Sequence, residues 1–555
     1  MQVKIGGVVL DDTFYGGEDL YSDGSIEDRI LDICKNKKQD EVLHFSNEWP
    51  ILYHLSDIRE NLLEWYPFTK QDNVLEIGSG CGALTGLLSR KSQSVTCVEL
   101  SRKRSLINAY RNQDRDNIAI WIGNFKDIEF QKKFDCITLV GVWEYAGLYV
   151  KGANPYLAIL ERLKSLLKPQ GKLIIAIENK VGLKYWNGAP EDHTGKLYSG
   201  INDYIGEKNI RTFSRQEIIE LLDRAGFPQV SFYYPMPDYK LPDTIYSDQI
   251  LPRAGDIRCY RSDYSLCRLY NFYDATAYDQ VCRDNMFPYF ANSFLAVCGE
   301  GEGVCRFAKY SRECRDEFRI ATEIRNIDGK RYVAKKALCK ESVKHIFRMK
   351  HMQEKWKNML PNISCLEGKL LDHEYRIPYI EGVDIDASLY EWRNDSSQFI
   401  KCVEKVIKNY LIPDEKDMLD FSITSEYKTV FGNNYPQNGK SLKTTNVDCV
   451  CSNLRLGNDG IVYNFDYEWI FDFPIPWKYV LWRSLNQIYT KYNVYLKDKI
   501  SAYDFYARFE MDKKSVQIFE KMEQRFSNYV RGDGNKEAYL INYRKTALLQ
   551  NIRLV

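Results

Sequence analysis

The sequence predicts an α/β protein in two parts: a mostly parallel sheet with helices on both faces, then an α+β bilobal unit. Three observations predict it. Short apolar runs near 73–77, 94–98, 118–122, 136–140 and 172–177 are spaced by stretches with helical periodicity, as repeated strand–helix units require. The first run breaks directly into glycines at 78, 80 and 82. Beyond residue 300, strand-like runs follow one another across the turn Asp328-Gly329, so a different layout begins there.

At 555 residues the chain exceeds what one hydrophobic core organises, and two to four domains are expected. Lys plus Arg number 77 against 76 for Asp plus Glu, a balance of +1, which argues against a dedicated nucleic-acid binder. Hydrophobic residues at 44% and charged residues at 28% exclude a disordered or collagen-like chain. The start, MQVKIGGVVLDDTFYGG, sets two Asp directly after its apolar run and does not form a signal-peptide core. No window approaches the roughly 20 apolar residues of a membrane span. No transmembrane segment is expected, and the reading is a cytoplasmic protein, peripheral to the inner membrane only through a partner. Fifteen Cys without a Cys-x-x-Cys pair read as reduced, mostly buried thiols. The 40 Tyr fit sugar-stacking surfaces and a coding bias equally well.

The run Leu75-Glu76-Ile-Gly78-Ser-Gly80-Cys-Gly82 is a strand feeding a tight turn, and Leu84, Leu87 and Leu88 recur at helical spacing after it. The turn therefore opens a helix whose free N–H groups face the crevice at the strand's carboxyl end. Glycines there let a ligand approach the backbone. The next run ends in Glu99, 21 residues after Gly78, where a carboxylate accepts hydrogen bonds from both hydroxyls of a ribose. The pattern also satisfies the Gly-x-Gly-x-x-Gly/Ala fingerprint of nicotinamide and flavin enzymes. The fuller run resembles motif I of class I S-adenosylmethionine-dependent methyltransferases, which are Rossmann-like. That resemblance implies S-adenosyl-L-methionine as cofactor, bound by Glu76, Gly78, Gly80, Gly82 and Glu99, with Asn124 after the third strand at the adenine. Lys168-Pro-Gln-Gly171 reads as the turn into the fifth strand, Lys172 to Ile177.

Apolar residues at 52, 55, 58, 62 and 63 make a stripe that packs on the sheet, and the opposite face carries His54 and Arg59. That face is either a lid over the methionine end or plain surface. The polar connection from Glu178 to Gly195 lies where an acceptor would enter. Only six His occur, and His193, between Glu191-Asp192 and Gly195, is the candidate catalytic one. It would act as general base toward a hydroxyl, position an anionic acceptor such as a phosphate, or simply stabilise its loop. Ser214-Arg-Gln-Glu217 forms a capping box.

In the second part, runs at Val304–Tyr310 and Phe318–Ile324 bracket Ser311 to Asp316, and a third run, Arg331–Ala337, carries Lys335 and Lys336. Lys335 is the preferred phosphate ligand, with Val333 beneath adenine and Glu354 as its helix partner. Asp448 and Asn453 have Asp-x4-Asn spacing, and Asp466 follows 13 residues later. Phosphoryl transfer needs a carboxylate at the attacking hydroxyl, Asp448, and an amide oxygen and second carboxylate on the metal, Asn453 and Asp466. The segment resembles the aminoglycoside-phosphotransferase branch of the protein-kinase-like fold, with Asp466-Tyr-Glu-Trp469 for Asp-Phe-Gly and Tyr379-Ile-Glu-Gly382 as hinge. That resemblance implies ATP and Mg²⁺. Asn446 stands where a His is usual, and Gly299, Gly301 and Gly303 precede the first strand, so the phosphate grip would fall to Arg312 and Arg315. An active kinase and a pseudokinase scaffold both stay open.

The expected layout is a methyltransferase domain over 1–243, an aromatic-rich connecting segment over 244–300, a kinase-like domain over 301–493 and a C-terminal helical extension over 494–555. The pairing resembles the bifunctional methyltransferase/kinase chain terminators of bacterial O-antigen polysaccharide biosynthesis and related surface-glycan methyltransferases. The strings Tyr21-Ser-Asp-Gly24, Tyr53-His54-Leu-Ser56, Ile177-Glu-Asn179, Glu191-Asp-His-Thr-Gly195, Tyr234-Pro-Met-Pro-Asp-Tyr-Lys-Leu-Pro242 and Asp466-Tyr-Glu-Trp469 carry it. It implies phosphorylation and methylation of a glycan or phosphoglycan terminus beside a glycosyltransferase partner. The alternative keeps the methyltransferase and makes the second half a non-catalytic nucleotide-binding or glycosyltransferase-docking module. Val516, Phe519, Met522, Phe526 and Val530 form one short amphipathic stripe, suited to docking on the kinase-like part and too short for a length-measuring coiled coil.

Overall fold

The computed structural model describes residues 2–19, 21–46, 48–207, 209–257, 269–299, 305–436, 439–532 and 552–553. Two compact units divide the chain, one built on Met1–Tyr310 and the other on Ser311–Asn535.

The first unit opens with a hairpin, Gln2–Ile5 (β1) and Val8–Phe14 (β2). The five expected strands follow as Asn73–Ile77 (β3), Ser94–Glu99 (β4), Ile118–Gly123 (β5), Phe134–Val140 (β6) and Leu167–Glu178 (β7). Val230–Met236 (β8), Thr244–Ser247 (β9), Leu269–Tyr270 (β10), Ser293–Cys298 (β11) and Cys305–Ser311 (β12) complete the set. The sheet order runs β1-β2-β5-β4-β3-β6-β7-β11-β8-β9-β12, and every neighbour pair from β2 to β7 is parallel. Its order reverses at β3: the chain builds outward through β4 and β5, then returns to lay β6 and β7 on the other side. Such a reversal leaves a crevice beyond the strands' carboxyl ends.

Parallel strands covered on both faces bury residues on either side, and in β3 residues 74–77 are all buried, Glu76 included. Leu75 and Ile77 enter one core with Ile137, Leu139 and Ile175. Ile30, Leu52 and Ile107, from the helices Ile26–Lys35, Trp49–Leu55 and Arg102–Arg111, make a second core. Lys168 to Gly171 is a bulge within β7 instead of a turn before it, since pairing with β6 jumps from Leu167 to Lys172. The capping box is present at the helix Arg215–Arg224.

Residues 244–300 are not a connector. Strand β11 inserts antiparallel between β7 and β8 and pairs with both, and β9 pairs with β8. The first unit therefore does not close at residue 243. Ser293-Phe-Leu-Ala-Val-Cys298 is apolar on both sides because both its neighbours are strands and its faces are covered. Residues 258–268, Gly301 and Gly303 lie outside the described residues.

In the second unit, Ile320–Ile327 (β13) and Lys330–Ala337 (β14) form an antiparallel hairpin. Asp328 and Gly329 at its tip have φ of 51° and 74°, the left-handed pair a two-residue hairpin turn favours. Glu374–Pro378 extends this sheet beside β14, and the helix Val343–Trp356 buries Ile346, Met349 and Met352. A second small sheet joins Ser364–Cys365, Val462–Asn464, Leu454–Gly457 and Gly382–Asp384, followed by the helix Trp477–Leu496. The helix Lys513–Arg531 buries Val516, Phe519, Met522 and Phe526. Among the described residues no helix is long and apolar enough to cross a membrane.

Candidate active site

Beyond β3 the glycine loop is fixed by its own backbone. The Gly78 and Ser79 amides donate to the Val98 carbonyl at 2.8 and 3.3 Å. The Gly80 amide donates to Glu99 Oε2 at 2.7 Å, and the Ser101 amide to Oε1 at 3.0 Å. Glu99 thus closes the loop, and each oxygen keeps a further lone pair for a ligand. Glu99, Gly78, Gly80 and Asn124 share the wall of a cavity of about 750 Å³, within the usual range of ligand pockets.

Two expected cofactor ligands stand elsewhere. A Cβ on Gly80 would meet nothing within 4 Å, whereas one on Gly82 would come 2.3 Å from Asn108 Oδ1. Gly82 is off the cavity wall, and its bare backbone serves the contact with the helix Arg102–Arg111. The buried Glu76 carboxyl accepts from Thr85 Oγ1 at 2.6 Å and Cys97 Sγ at 3.4 Å. Burial pushes it up to about 7. It ties the start of the helix Thr85–Lys91 to β4 and is not among the residues of the cavity wall.

His54 and Arg59 are buried and line the same cavity, so they belong to its inner wall and not to a surface helix. His54 Nε2 lies 2.9 Å from Asp23 Oδ2. Arg104 pairs with Asp23 at 2.6 Å and Glu27 at 2.7 Å, its guanidinium 4.4 Å from the Tyr21 ring centre. Arg59 donates to the Lys240 carbonyl at 2.9 Å.

At another part of the wall stand Glu144, Tyr145, Glu178, His193 and Lys240. His193 Nδ1 is 3.0 Å from the Tyr145 hydroxyl, and its Nε2 is 3.4 Å from Glu178 Oε2 and 4.0 Å from Glu144 Oε1. Lys240 Nζ bridges Glu178 at 2.5 Å and Asp192 at 2.6 Å, and Lys184 holds Asp192 at 2.6 Å. Burial works to lower the His193 proton affinity, yet Glu178, Glu144 and Glu191 raise it to about 9. The surrounding carboxylates thus favour the protonated ring, which is opposite to the resting state of a general base. Glu144, Tyr145 and Lys240 were not anticipated. The available signal was position, since Trp143-Glu-Tyr145 directly follows the carboxyl end of β6.

The second unit brings Lys335, Asp448 and Asp466 together. Lys335 Nζ lies 3.1 Å from Asp466 and 3.8 Å from Glu468. Glu354 is exposed and paired with Lys350, so it is not the partner of Lys335. Burial and the Asp466 charge push Asp448 up to about 6 against the pull of Arg483 at 2.9 Å. Asn453 Nδ2 donates to the Asp448 carbonyl at 2.9 Å, and Asn446 Nδ2 to the Asp466 carbonyl at 2.9 Å. Arg315 is not a free phosphate grip: its guanidinium lies 5.4 Å from the Tyr529 ring centre and 3.7 Å from Glu317. Arg312 is buried.

Residues 49–231 match the family described as "Methyltransferase domain". By that match this stretch of the chain is similar to a methyltransferase domain. The chain is also 35% identical, over 108 residues, to an uncharacterized methyltransferase of Staphylococcus carnosus, a match covering 19% of this chain and 47% of that relative. The chain thus spans about half the length of the curated relative it matches. Among solved structures, a complex of the Haloferax volcanii Trm112 methyltransferase activator with a methyltransferase is 18% identical, covering 51% of this chain and 100% of that one, with TM-score 0.30. Haemonchus contortus phosphoethanolamine N-methyltransferase 1 is 13% identical, covering 51% and 50%, with TM-score 0.29. These scores are too low to assign an acceptor.

The wall of the methyltransferase domain fits a nucleoside cofactor with a charged amino-acid tail. Ser79, on that wall, is buried, and the loop stands open at Gly80. Glu99 presents its carboxylate to this space, and Asn124 with Phe125 borders it.

Proposed function

We propose that the methyltransferase domain binds S-adenosyl-L-methionine in this cavity and transfers its methyl group to an oxygen of a surface glycan or of its phosphorylated end. The carrying observation is one continuous wall that holds the glycine loop and Glu99 together with the buried charged group around His193 and Lys240. Bound there, the cofactor supplies an electrophilic methyl on a sulfonium. Glu99 holds the sugar, Gly80 lets the tail approach the backbone, and Tyr145, His193 and Lys240 orient the acceptor oxygen. Glycan as acceptor is supported by the strings that resemble the O-antigen chain terminators. The acceptor is tested with labelled S-adenosyl-L-methionine and mannose or rhamnose oligosaccharides, with and without a terminal phosphate. Label should enter at least one of them, and label in none would remove the glycan reading.

For the second unit we propose ATP and Mg²⁺ binding, with Lys335 at the phosphates, Asp466 and Asn453 at the metal and Asp448 at the attacking hydroxyl. Mg²⁺ sites often use one or two carboxylates plus substrate phosphates, which this cluster provides. A second reading, a nucleotide-binding or glycosyltransferase-docking module without turnover, is favoured by the direct Lys335–Asp466 pair. Asp448→Asn separates them: loss of phosphate transfer with methyl transfer retained supports a bifunctional enzyme, and unchanged glycan modification supports the module.

A further inference from the structure

We infer that the cavity of the methyltransferase domain holds a first-row divalent cation bound by His193 Nε2, Glu178 Oε2 and Glu144 Oε1. One ligand atom from each of the three residues lies within 4.8 Å of the others, with Nε2 at 3.4 Å from Glu178 and 4.0 Å from Glu144. Two ligands each about 2.1 Å from a zinc-sized ion stand about 3.4 Å apart at the tetrahedral angle and at most about 4.2 Å apart. A small inward shift of Glu144 closes the set.

A separate observation points to a ligand. Both Glu144 oxygens are buried without a hydrogen-bond partner, in a residue 1% exposed. A buried carboxylate in that state is costly unless a cation or donor meets it. The other contacts leave the donor atoms facing one another. Glu178 gives Oε1 to Lys240 and keeps Oε2 toward His193. His193 Nδ1 lies 3.0 Å from the Tyr145 hydroxyl, so with the proton kept on Nδ1 and the Nε2 proton released as the ion binds, the Nε2 lone pair faces the ion. Ligating imidazoles are held by outer contacts of this kind. One imidazole with two carboxylates suits Zn²⁺, Mn²⁺ or Fe²⁺. Three protein donors leave a position open, the mark of a working site as against a structural one.

That open position takes an oxygen of the acceptor, hydroxyl or phosphate. This last step rests on the methyl-transfer reading, whereas the ion site does not. The full-length chain, stripped with chelator and dialysed, is titrated with Mn²⁺ under electron paramagnetic resonance, with Zn²⁺ as competitor. One equivalent of Mn²⁺ should bind and be displaced by one of Zn²⁺, with affinity at least tenfold weaker in Glu144→Gln and His193→Gln. Thermal melting of each variant checks its fold. Tyr145→Phe, which leaves every ligand in place, should weaken Mn²⁺ about tenfold. Crystals soaked in Mn²⁺ should show anomalous density between the three side chains. Absence of bound Mn²⁺, or equal affinity in the wild type and all variants, would overturn the inference. If Mn²⁺ binds while S-adenosylhomocysteine does not, the ion site stands and the methyl-transfer reading fails.

Discussion

Glu76 sits on the strand that feeds the cofactor loop, yet its carboxyl serves Thr85 and Cys97. Its pKa in the folded chain is raised from 4.5 to about 7 because burial disfavours the charged form. The sign follows directly. Below pH 4.5 the group is protonated in both states and nothing is lost. Between pH 4.5 and 7 the unfolded chain ionises first, so folding stability falls, by about 3 kcal/mol in all. Glu76→Gln should therefore melt higher than the wild type at pH 8, with the gain vanishing as the pH drops toward 4, and should keep its affinity for S-adenosylhomocysteine. A lower melting point at every pH, or lost affinity, would return Glu76 to the cofactor. Its misplacement shows what a motif position conceals: spacing places a residue on a strand, but only the neighbours decide which partner its carboxyl meets. His193 was legible as chemical from its scarcity and loop, and Glu178 stands at the head of the same connection, but Glu144, which also acts on its charge, comes from another segment of the chain.

At the scale of elements, the glycine loop joins two separable demands. Gly82 has φ of 76° and no room for a Cβ beside Asn108, while Gly80 has φ of 52° and open space. Gly82→Ala should destabilise by about 1–3 kcal/mol, through left-handed strain with collision, as a thermal melt would register. Gly80→Ala carries strain of about 1–2 kcal/mol without collision and should lose more in calorimetric affinity for S-adenosylhomocysteine than in stability. Equal effects of the two on binding would refute this division. The five parallel strands were legible because burial on both faces leaves each with a mostly apolar run, broken only by single polar residues such as Glu76 and Thr96. The β1–β2 hairpin was not, since its outer residues stay exposed and two Asp interrupt its second strand. The hairpin at Asp328-Gly329 was legible from its turn chemistry alone.

The whole first unit depends on a strand supplied late. Without Ser293–Cys298 the facing edges of β7 and β8 lose their shared partner, and unpaired edges invite aggregation. A chain of residues 1–243 should fail to melt cooperatively, whereas residues 1–310 should give one transition. Cooperative melting of the shorter chain would contradict the topology. No local feature of residues 244–300 disclosed this, because long-range strand order is not written in local periodicity. The grouping of Lys335, Asp448 and Asp466 was legible from spacing, but the occupation of Arg315 by Tyr529 depends on a helix two hundred residues away in sequence. The central claim is that Glu99 and the open loop bind the sugar and tail of S-adenosyl-L-methionine. Calorimetry with S-adenosylhomocysteine tests it most directly. One equivalent should bind to the full-length chain, and Glu99→Ala should weaken that binding at least tenfold. No uptake by the wild type, or equal uptake by the variant, would contradict it.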